Sequence, residues 1–370
     1  MQGLLEASGE LFAPGVQPGP CPGPGQTGTM ASAFSPETSA AEPDPGLSGD
    51  APWVIVLLGP TASGKTDLSI AIAEAFDLAV LSVDSRQIYT DMDIGTAKAS
   101  AAQRARVRHR LLDLRPPERP MNLHEFRAEA EAAIAAEHAR RGVAFLVGGS
   151  GLYLKAITQG LLPPAVPPQP ELRAQLTALG QAWCHPLLAG VDPLAAGRIA
   201  PADAVRTQRA LEVIYATGRP LSAQQGFRRP PWRLLELGLN PGDLSHRIRQ
   251  RSAGLYGAGL VAETQRLLRR YGQACPLLDT IGYGEAKRLL AGELDETSAI
   301  GLTSQRTLQF AKRQRTWFRR QHRPLWLSEP DQAQDPTKHQ TGDRSELAGA
   351  SGPEPDLVQR ALSAVGQALG

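Results

Sequence analysis

The sequence predicts an α/β fold: a parallel β-sheet flanked by helices, carrying an inserted all-helical subdomain. Three observations lead there. Between Trp53 and Gly148, short apolar runs alternate with helical stretches, as in a parallel sheet covered on both faces. The octapeptide Gly59–Thr66, GPTASGKT, fits G-x-x-x-x-G-K-[ST] between an apolar run and a helical one, which makes the sheet P-loop NTPase-like. Then LLPPAVPPQPEL (161–172) breaks the alternation with five prolines, and the chain to about Gly218 reads as helix without a good strand.

The elements follow in order. Residues 1–51 are rich in Pro, Gly, Ser and Ala and read as a disordered N-terminal tail, with Met30 as an alternative start. Trp53–Leu58 is a buried strand stopped by Gly59-Pro60. Asp67–Phe76 places Leu68, Ile72 and Ala75 at helical spacing. Leu78–Val83 is a second strand, Glu125–Arg141 a helix, and Val143–Val147 a third strand ended by Gly-Gly. Residues 232–240 suit a returning strand, followed by helices over 243–271 and 283–323. Leu357–Leu369 suits a short peripheral helix. The division expected is a catalytic core of 52–163 and 221–328, a helical insertion over 164–220, and a linker and C-terminal tail over 329–370.

Composition narrows the class. The 370 residues have room for one large or two modest domains, and 42% hydrophobic content supports a real core. The formal net charge is only +2, so nucleic-acid binding must come from local clusters. Cys21, Cys184 and Cys275 lack metal-ligand spacing and fit a reducing compartment. The N-terminus has no secretory pattern, and no run approaches about 18 continuous apolar residues. A soluble cytoplasmic protein, without membrane contact, is expected.

The phosphate loop has a physical logic. Gly59 and Gly64 let the backbone turn back, so the N–H groups of Pro60-Thr61-Ala62-Ser63-Gly64 and beyond converge at a helix N-terminus (Pro60 itself has none). Lys65 adds a mobile positive charge, and the Thr66 hydroxyl is the usual ligand of a phosphate-bound Mg²⁺. The motif does not name the reaction. A hydrolysing ATPase would show an apolar strand ending in a carboxylate. VAFLVGGS ends without one, so Asp84, 19 residues after Lys65, is the well-placed strand-end acid. A carboxylate there can bind magnesium or take a proton from a nucleophile; the position also suits a simple turn or N-cap Asp.

The wording around Asp84 goes further. SVDSRQIYTDMDIGTAK (82–98), HRLLD (109–113), LVGGSGLY (146–153), RALEVIYATGRPLS (209–222), IGYGEA (281–286) and FAKRQRTWFR (310–319) stand in order. Together they resemble the tRNA dimethylallyltransferase family from about residue 53 to 327. That resemblance implies transfer of a dimethylallyl group from dimethylallyl diphosphate to N6 of adenosine 37, beside the anticodon of tRNAs reading codons that start with U. It implies Asp84 as general base, a phosphate loop holding a diphosphate that leaves, Mg²⁺ on Thr66, and Arg247 of LSHRIRQR as a second clamp with Arg251 one turn on. Asp84, Ser85, Arg86 and Gln87 would grip the flipped adenine and its neighbours. Ser150 stands where relatives usually carry Thr. Arg173, Arg206 and Arg209 match tRNA-contact segments, and the insertion would clasp the anticodon stem-loop.

The local charge pattern agrees with an RNA partner. Residues 300–328 hold Arg306, Lys312, Arg313, Arg315, Arg319, Arg320 and Arg323 and no acid. Phe310 and Trp317 are seven apart, so one stripe is expected to pack inward while Lys312, Arg313 and their neighbours face RNA phosphates. Two departures stand out: Gly284 where the family commonly has a basic residue, and Leu308 where it has arginine. Two other classes compete: a small-molecule kinase, for which the chain lacks a lid motif, and a non-catalytic RNA-binding module. An enzyme modifying free AMP, ADP or ATP is a nearer alternative; the helical arm and the basic helix favour a polymer. A monomer is expected.

Overall fold

The computed structural model describes residues 50–328 and 354–370. The linker expected over 329–353, and all but the last two residues of the expected N-terminal tail, lie outside the described residues. The strands are β1 (Trp53–Leu58), β2 (Val80–Val83), β3 (His109–Arg110), β4 (Val143–Gly148), β5 (Leu161–Leu162), β6 (Gly226–Phe227), β7 (Arg233–Leu239) and β8 (Leu325–Ser328). Six of them form one sheet in the order β3-β2-β4-β1-β7-β8, with every neighbouring pair parallel.

The central strand β1 shows why the sheet forms. Its residues Val54 to Leu58 are all fully buried, as a strand covered on both faces requires. Val54, Val56 and Leu58 join one apolar cluster, while Ile55 and Leu57 join the other, the period-two alternation of a strand. Helices α1 (Lys65–Phe76), α2 (Ala101–Arg106), α3 (Leu123–Arg141) and α4 (Gly151–Thr158) connect these strands. Phe126 and Ile134 of α3 and Leu154 of α4 fill the first cluster; Leu68 and Ile72 of α1 fill the second. At its start α3 has a capping box, Asn122 with Glu125, and it ends on Gly142.

The insertion comprises α5 (Pro170–Leu179), α6 (Gln181–Val191), α7 (Pro193–Arg198) and α8 (Ala204–Thr217). It has its own apolar cluster, including Leu176, Cys184, Leu188, Leu211 and Val213. Its neck is a two-stranded antiparallel ribbon that the sequence reading did not anticipate: β5 pairs with β6, Leu161 opposite Phe227 and Leu162 opposite Gly226. At the base of this neck the Arg228 N–H donates to the Gly160 carbonyl at 2.9 Å. Gly160 has φ +70°, and a Cβ there would meet the Arg228 carbonyl oxygen at 1.7 Å, so only glycine fits.

Past the insertion lie α9 (Leu244–Gly257), α10 (Leu260–Tyr271), α11 (Tyr283–Leu290), α12 (Glu296–Gln321) and α13 (Pro355–Leu369). The single helix expected over 243–271 divides at Ala258-Gly259, where Gly259 takes φ 100°. The helix expected over 283–323 divides at 291–295, and Asp295 caps the second part by accepting from the Ser298 N–H. Helix α13 is not peripheral. Ala361 and Val365 are fully buried in the cluster that contains Leu68 and Ile72 of α1. Its apolar face was legible; the uncovered flank of the sheet that takes it was not.

Candidate functional site

The carboxyl ends of three adjacent strands meet at one edge of the sheet: β1 runs into the phosphate loop, β2 into Asp84, and β4 into Gly149-Ser150. That edge is where ligands bind in open α/β sheets. A cleft of about 550 Å³ opens there, lined among others by Lys65, Thr66, Asp84, Ser150, Arg251 and Gln314.

The loop enters α1 through Gly64, which holds a left-handed φ of 89°. Lys65 Nζ turns back onto the loop, donating to the Gly59 carbonyl at 3.0 Å, the Pro60 carbonyl at 2.7 Å and Ser63 Oγ at 3.4 Å. Burial pulls the Lys65 pKa down to about 7; the Arg251 charge adds to that and the Asp84 charge opposes it. Lys65 is half-buried by surface exposure, so the desolvation comes from the walls of the cleft rather than full enclosure. Thr66 is exposed in the first turn of α1 and faces the cleft. The Thr61 N–H donates to Gln314 Oε1 at 2.9 Å, and Gln314 Nε2 donates to the Gly149 carbonyl at 2.8 Å. One buried amide of α12 thus ties the phosphate loop to the end of β4.

Asp84 is half-buried, and its Oδ1 accepts from the Arg86 N–H at 2.9 Å. The Ser85 N–H donates to Ser150 Oγ at 2.9 Å, so the hydroxyl at 150 holds the Asp84 turn to β4. Gln87 is committed to the fold: its Oε1 accepts from Ser82 Oγ at 2.9 Å and its Nε2 donates to the carbonyls of Thr96 and Ala97 at 3.2 Å each. It shapes the cleft wall at 96–97. Arg86 is exposed at the cleft.

Glu263 of α10 fixes the neighbouring part of that wall, and the sequence reading missed it. This buried carboxylate accepts from the N–H groups of Asp93, Ile94 and Gly95 at 3.2, 2.9 and 3.1 Å. It also accepts from the Tyr283 hydroxyl at 2.6 Å. The available signal was an acid at inward spacing, between Leu260 and Leu267.

Both arginines of the expected clamp stand near the phosphate loop. Arg251 lines the cleft with Lys65 and Asp84. Burial lowers its pKa and the Asp84 charge opposes that. Arg247 sits beside the loop, its Nη1 3.8 Å from where a Cβ of Gly64 would lie, and its Nε donates to the Asp243 carboxylate at 2.8 Å. Helix α12 forms the opposite wall through Thr303, Arg306, Thr307, Phe310, Arg313 and Gln314. The expected inward stripe of Phe310 and Trp317 holds for Trp317, which packs partly buried against the first apolar cluster, and is corrected for Phe310, which is 38% exposed at the cleft while Ala311, Gln314 and Phe318 are buried. Spacing fixed a stripe but not which stripe met the core. Lys312 is exposed on α12.

Within the insertion, Arg173 and Arg209 converge on the fully buried Glu212. Arg173 donates to its two oxygens at 2.9 Å each, and Arg209 Nη1 at 2.7 Å. These arginines neutralise an internal carboxylate, leaving only their exposed edges for a partner. Arg206 is exposed and lies 3.5 Å from Asp203.

Comparisons with known proteins identify the family. A family model described as IPP transferase matches residues 87–321. A tRNA dimethylallyltransferase of Synechococcus sp. (strain CC9902) is 64% identical over 280 residues, covering 76% of this chain and 94% of the relative. One from Synechococcus sp. (strain CC9605) is 63% identical over 287 residues, covering 78% and 95%. The crystal structure of a tRNA isopentenylpyrophosphate transferase from Bacillus halodurans aligns with TM-score 0.54 at 33% identity, covering 74% of this chain and 88% of that one. A eukaryotic dimethylallyltransferase acting on tRNA aligns with TM-score 0.63 at 28% identity, covering 72% and 70%.

Proposed function

This chain belongs to the IPP transferase family, and from that premise we propose that it is a tRNA prenyltransferase that moves a dimethylallyl group from dimethylallyl diphosphate to N6 of adenosine 37. The observation that carries the reading is one cleft holding Lys65, Asp84 and Arg251 against a basic helical wall. A phosphate loop of this pattern at the α1 N-terminus, with Lys65 and Arg251 beside it, suits a diphosphate. The wall of α12 offers Arg306 and Arg313 to a polyanionic acceptor.

The chemistry follows from these groups. The bond between the allylic C1 and the diphosphate oxygen breaks, and the oxygen leaves with the electron pair. Loop N–H groups, Lys65 and Arg251 stabilise the charge that develops on it. The adenine N6 forms the new C–N bond, and its proton passes to the Asp84 carboxylate. The N6 lone pair is delocalised into the ring, so alignment of the base by the Ser85–Ser150 and Glu263-held walls contributes as much as basicity. The donor set also fits Mg²⁺. Thr66 offers an exposed hydroxyl at the cleft, where it would hold a diphosphate-bound Mg²⁺. When bound, Mg²⁺ supplies charge neutralisation on the leaving group.

The protein is expected to act as a monomer. No helix among the described residues is long and apolar enough to cross a membrane. The test is incubation with radiolabelled dimethylallyl diphosphate, Mg²⁺ and either bulk tRNA or AMP. Label in tRNA is expected. Label in AMP alone overturns the acceptor, and ATP consumption without label transfer overturns the reaction class.

A further inference from the structure

Phe310 is an aromatic ring left 38% exposed on the wall of the catalytic cleft. Its wall neighbours, Thr303, Arg306, Thr307 and Arg313, are polar or charged, so nothing apolar on that stripe covers it. Two cations frame it. The Arg313 guanidinium lies 5.9 Å from the ring centroid. Arg306, one turn earlier, forms an ion pair with the buried Glu285. Its Nη1 sits 3.4 Å from where a Cβ of Gly284 would project, and the Asp279 carbonyl oxygen lies 3.1 Å from the same point. The bare glycine thus leaves its space to the Arg306 guanidinium, and a basic charge stands at the cleft although position 284 carries none.

An exposed ring beside basic side chains is the chemistry that holds an unpaired nucleotide: stacking on the ring, charge on the backbone. We propose that Phe310 is a stacking platform for an unpaired base flanking the acceptor adenine, with Arg313 meeting the adjoining phosphate and the Glu285-paired Arg306 offering only its exposed edge. The inference rests on the RNA-acceptor reading above and deepens it. A base extruded into the Asp84 cleft leaves its neighbour without a stacking partner, and the platform replaces that partner at the mouth. A planar aromatic face accepts any base, so the platform sets the position of the neighbour rather than its identity.

The test uses the full chain and synthetic anticodon stem-loops, either intact or with an abasic residue on one or the other side of the acceptor. For the wild type, one of the two abasic RNAs is expected to raise the acceptor KM about tenfold. Phe310→Ala should show a similar rise of about tenfold with the intact RNA, no further rise with that abasic RNA, and an unchanged KM for dimethylallyl diphosphate. Phe310→Trp should restore the intact-RNA value. Additive penalties for the abasic site and Phe310→Ala, or an unchanged KM in Phe310→Ala, would overturn the platform while leaving prenyl transfer standing. Absence of transfer to every RNA by the wild type would sink both.

Discussion

At the scale of single residues, the proposed reaction assigns distinct tasks to Asp84 and Lys65. Asp84→Asn should lower kcat by about 10²–10⁴-fold and leave the KM for dimethylallyl diphosphate within about twofold, because the proposed role of the carboxylate is toward the acceptor amine. Steady-state kinetics with tRNA check this, and near-normal turnover would remove Asp84 from proton transfer. Lys65 makes a pH prediction with a definite sign. Its pKa is lowered from 10.5 to about 7, so above pH 7 the unliganded side chain is increasingly neutral. A bound diphosphate favours the ammonium, so binding takes up a proton in that window and weakens as pH rises. Calorimetric titration with diphosphate at pH 8, in buffers of different ionisation enthalpy, should report net proton uptake; Lys65→Met should abolish it. Both residues were legible because a local pattern carries them. The role of Gln314 was not, since its partner Thr61 is 253 residues away. Arg251 was named only as a neighbour of Arg247, because helical spacing shows a shared face but not which arginine reaches the cleft.

At the scale of elements, the same limit recurs. The three strands β1, β2 and β4 and helix α3 were readable from apolar runs and Gly or capping signals. Strands β3 and β8 were not: one is two residues long and the other four, too short for a periodic signal. The break at 258–259 matters to function, because α10 starts there and carries the Glu263 that accepts from the 93–95 N–H groups. Glu263→Gln should expose this. The amide keeps an oxygen acceptor but presents an NH₂ to backbone donors, leaving one or more unsatisfied at about 1–3 kcal/mol. The expected kinetic signature is a raised acceptor KM with an unchanged donor KM, which a general loss of stability would not separate. Helix α13 belongs to the opposite face. Val365→Ala should lower stability by about 1–3 kcal/mol in urea unfolding and leave both KM values unchanged, since α13 packs behind α1 and away from the cleft.

At the scale of the whole molecule, the catalytic sheet and the helical insertion have separate apolar clusters joined by one ribbon. The cleft that holds Lys65, Asp84 and Arg251 takes no lining residue from α5 to α8. The core is therefore expected to fold and to hold a diphosphate without the insertion. The ribbon makes a clean excision available: Leu162 and Gly226 are paired neighbours, so a two-residue Asn-Gly turn can replace 163–225 without straining β5 or β6. The excised protein should unfold in one cooperative transition and bind diphosphate within a few-fold of the full chain. Its KM for tRNA should rise at least about tenfold, and the salt dependence of tRNA binding should become shallower if Arg206 and its neighbours contact phosphates as expected. Glu212→Gln tests the same division without deleting anything. It removes the charge that holds Arg173 and Arg209 together, so the insertion should loosen while diphosphate binding persists. A diphosphate affinity that collapsed with the insertion, or a tRNA KM that ignored its removal, would contradict the division of labour in which the sheet performs the chemistry and the arm holds the RNA.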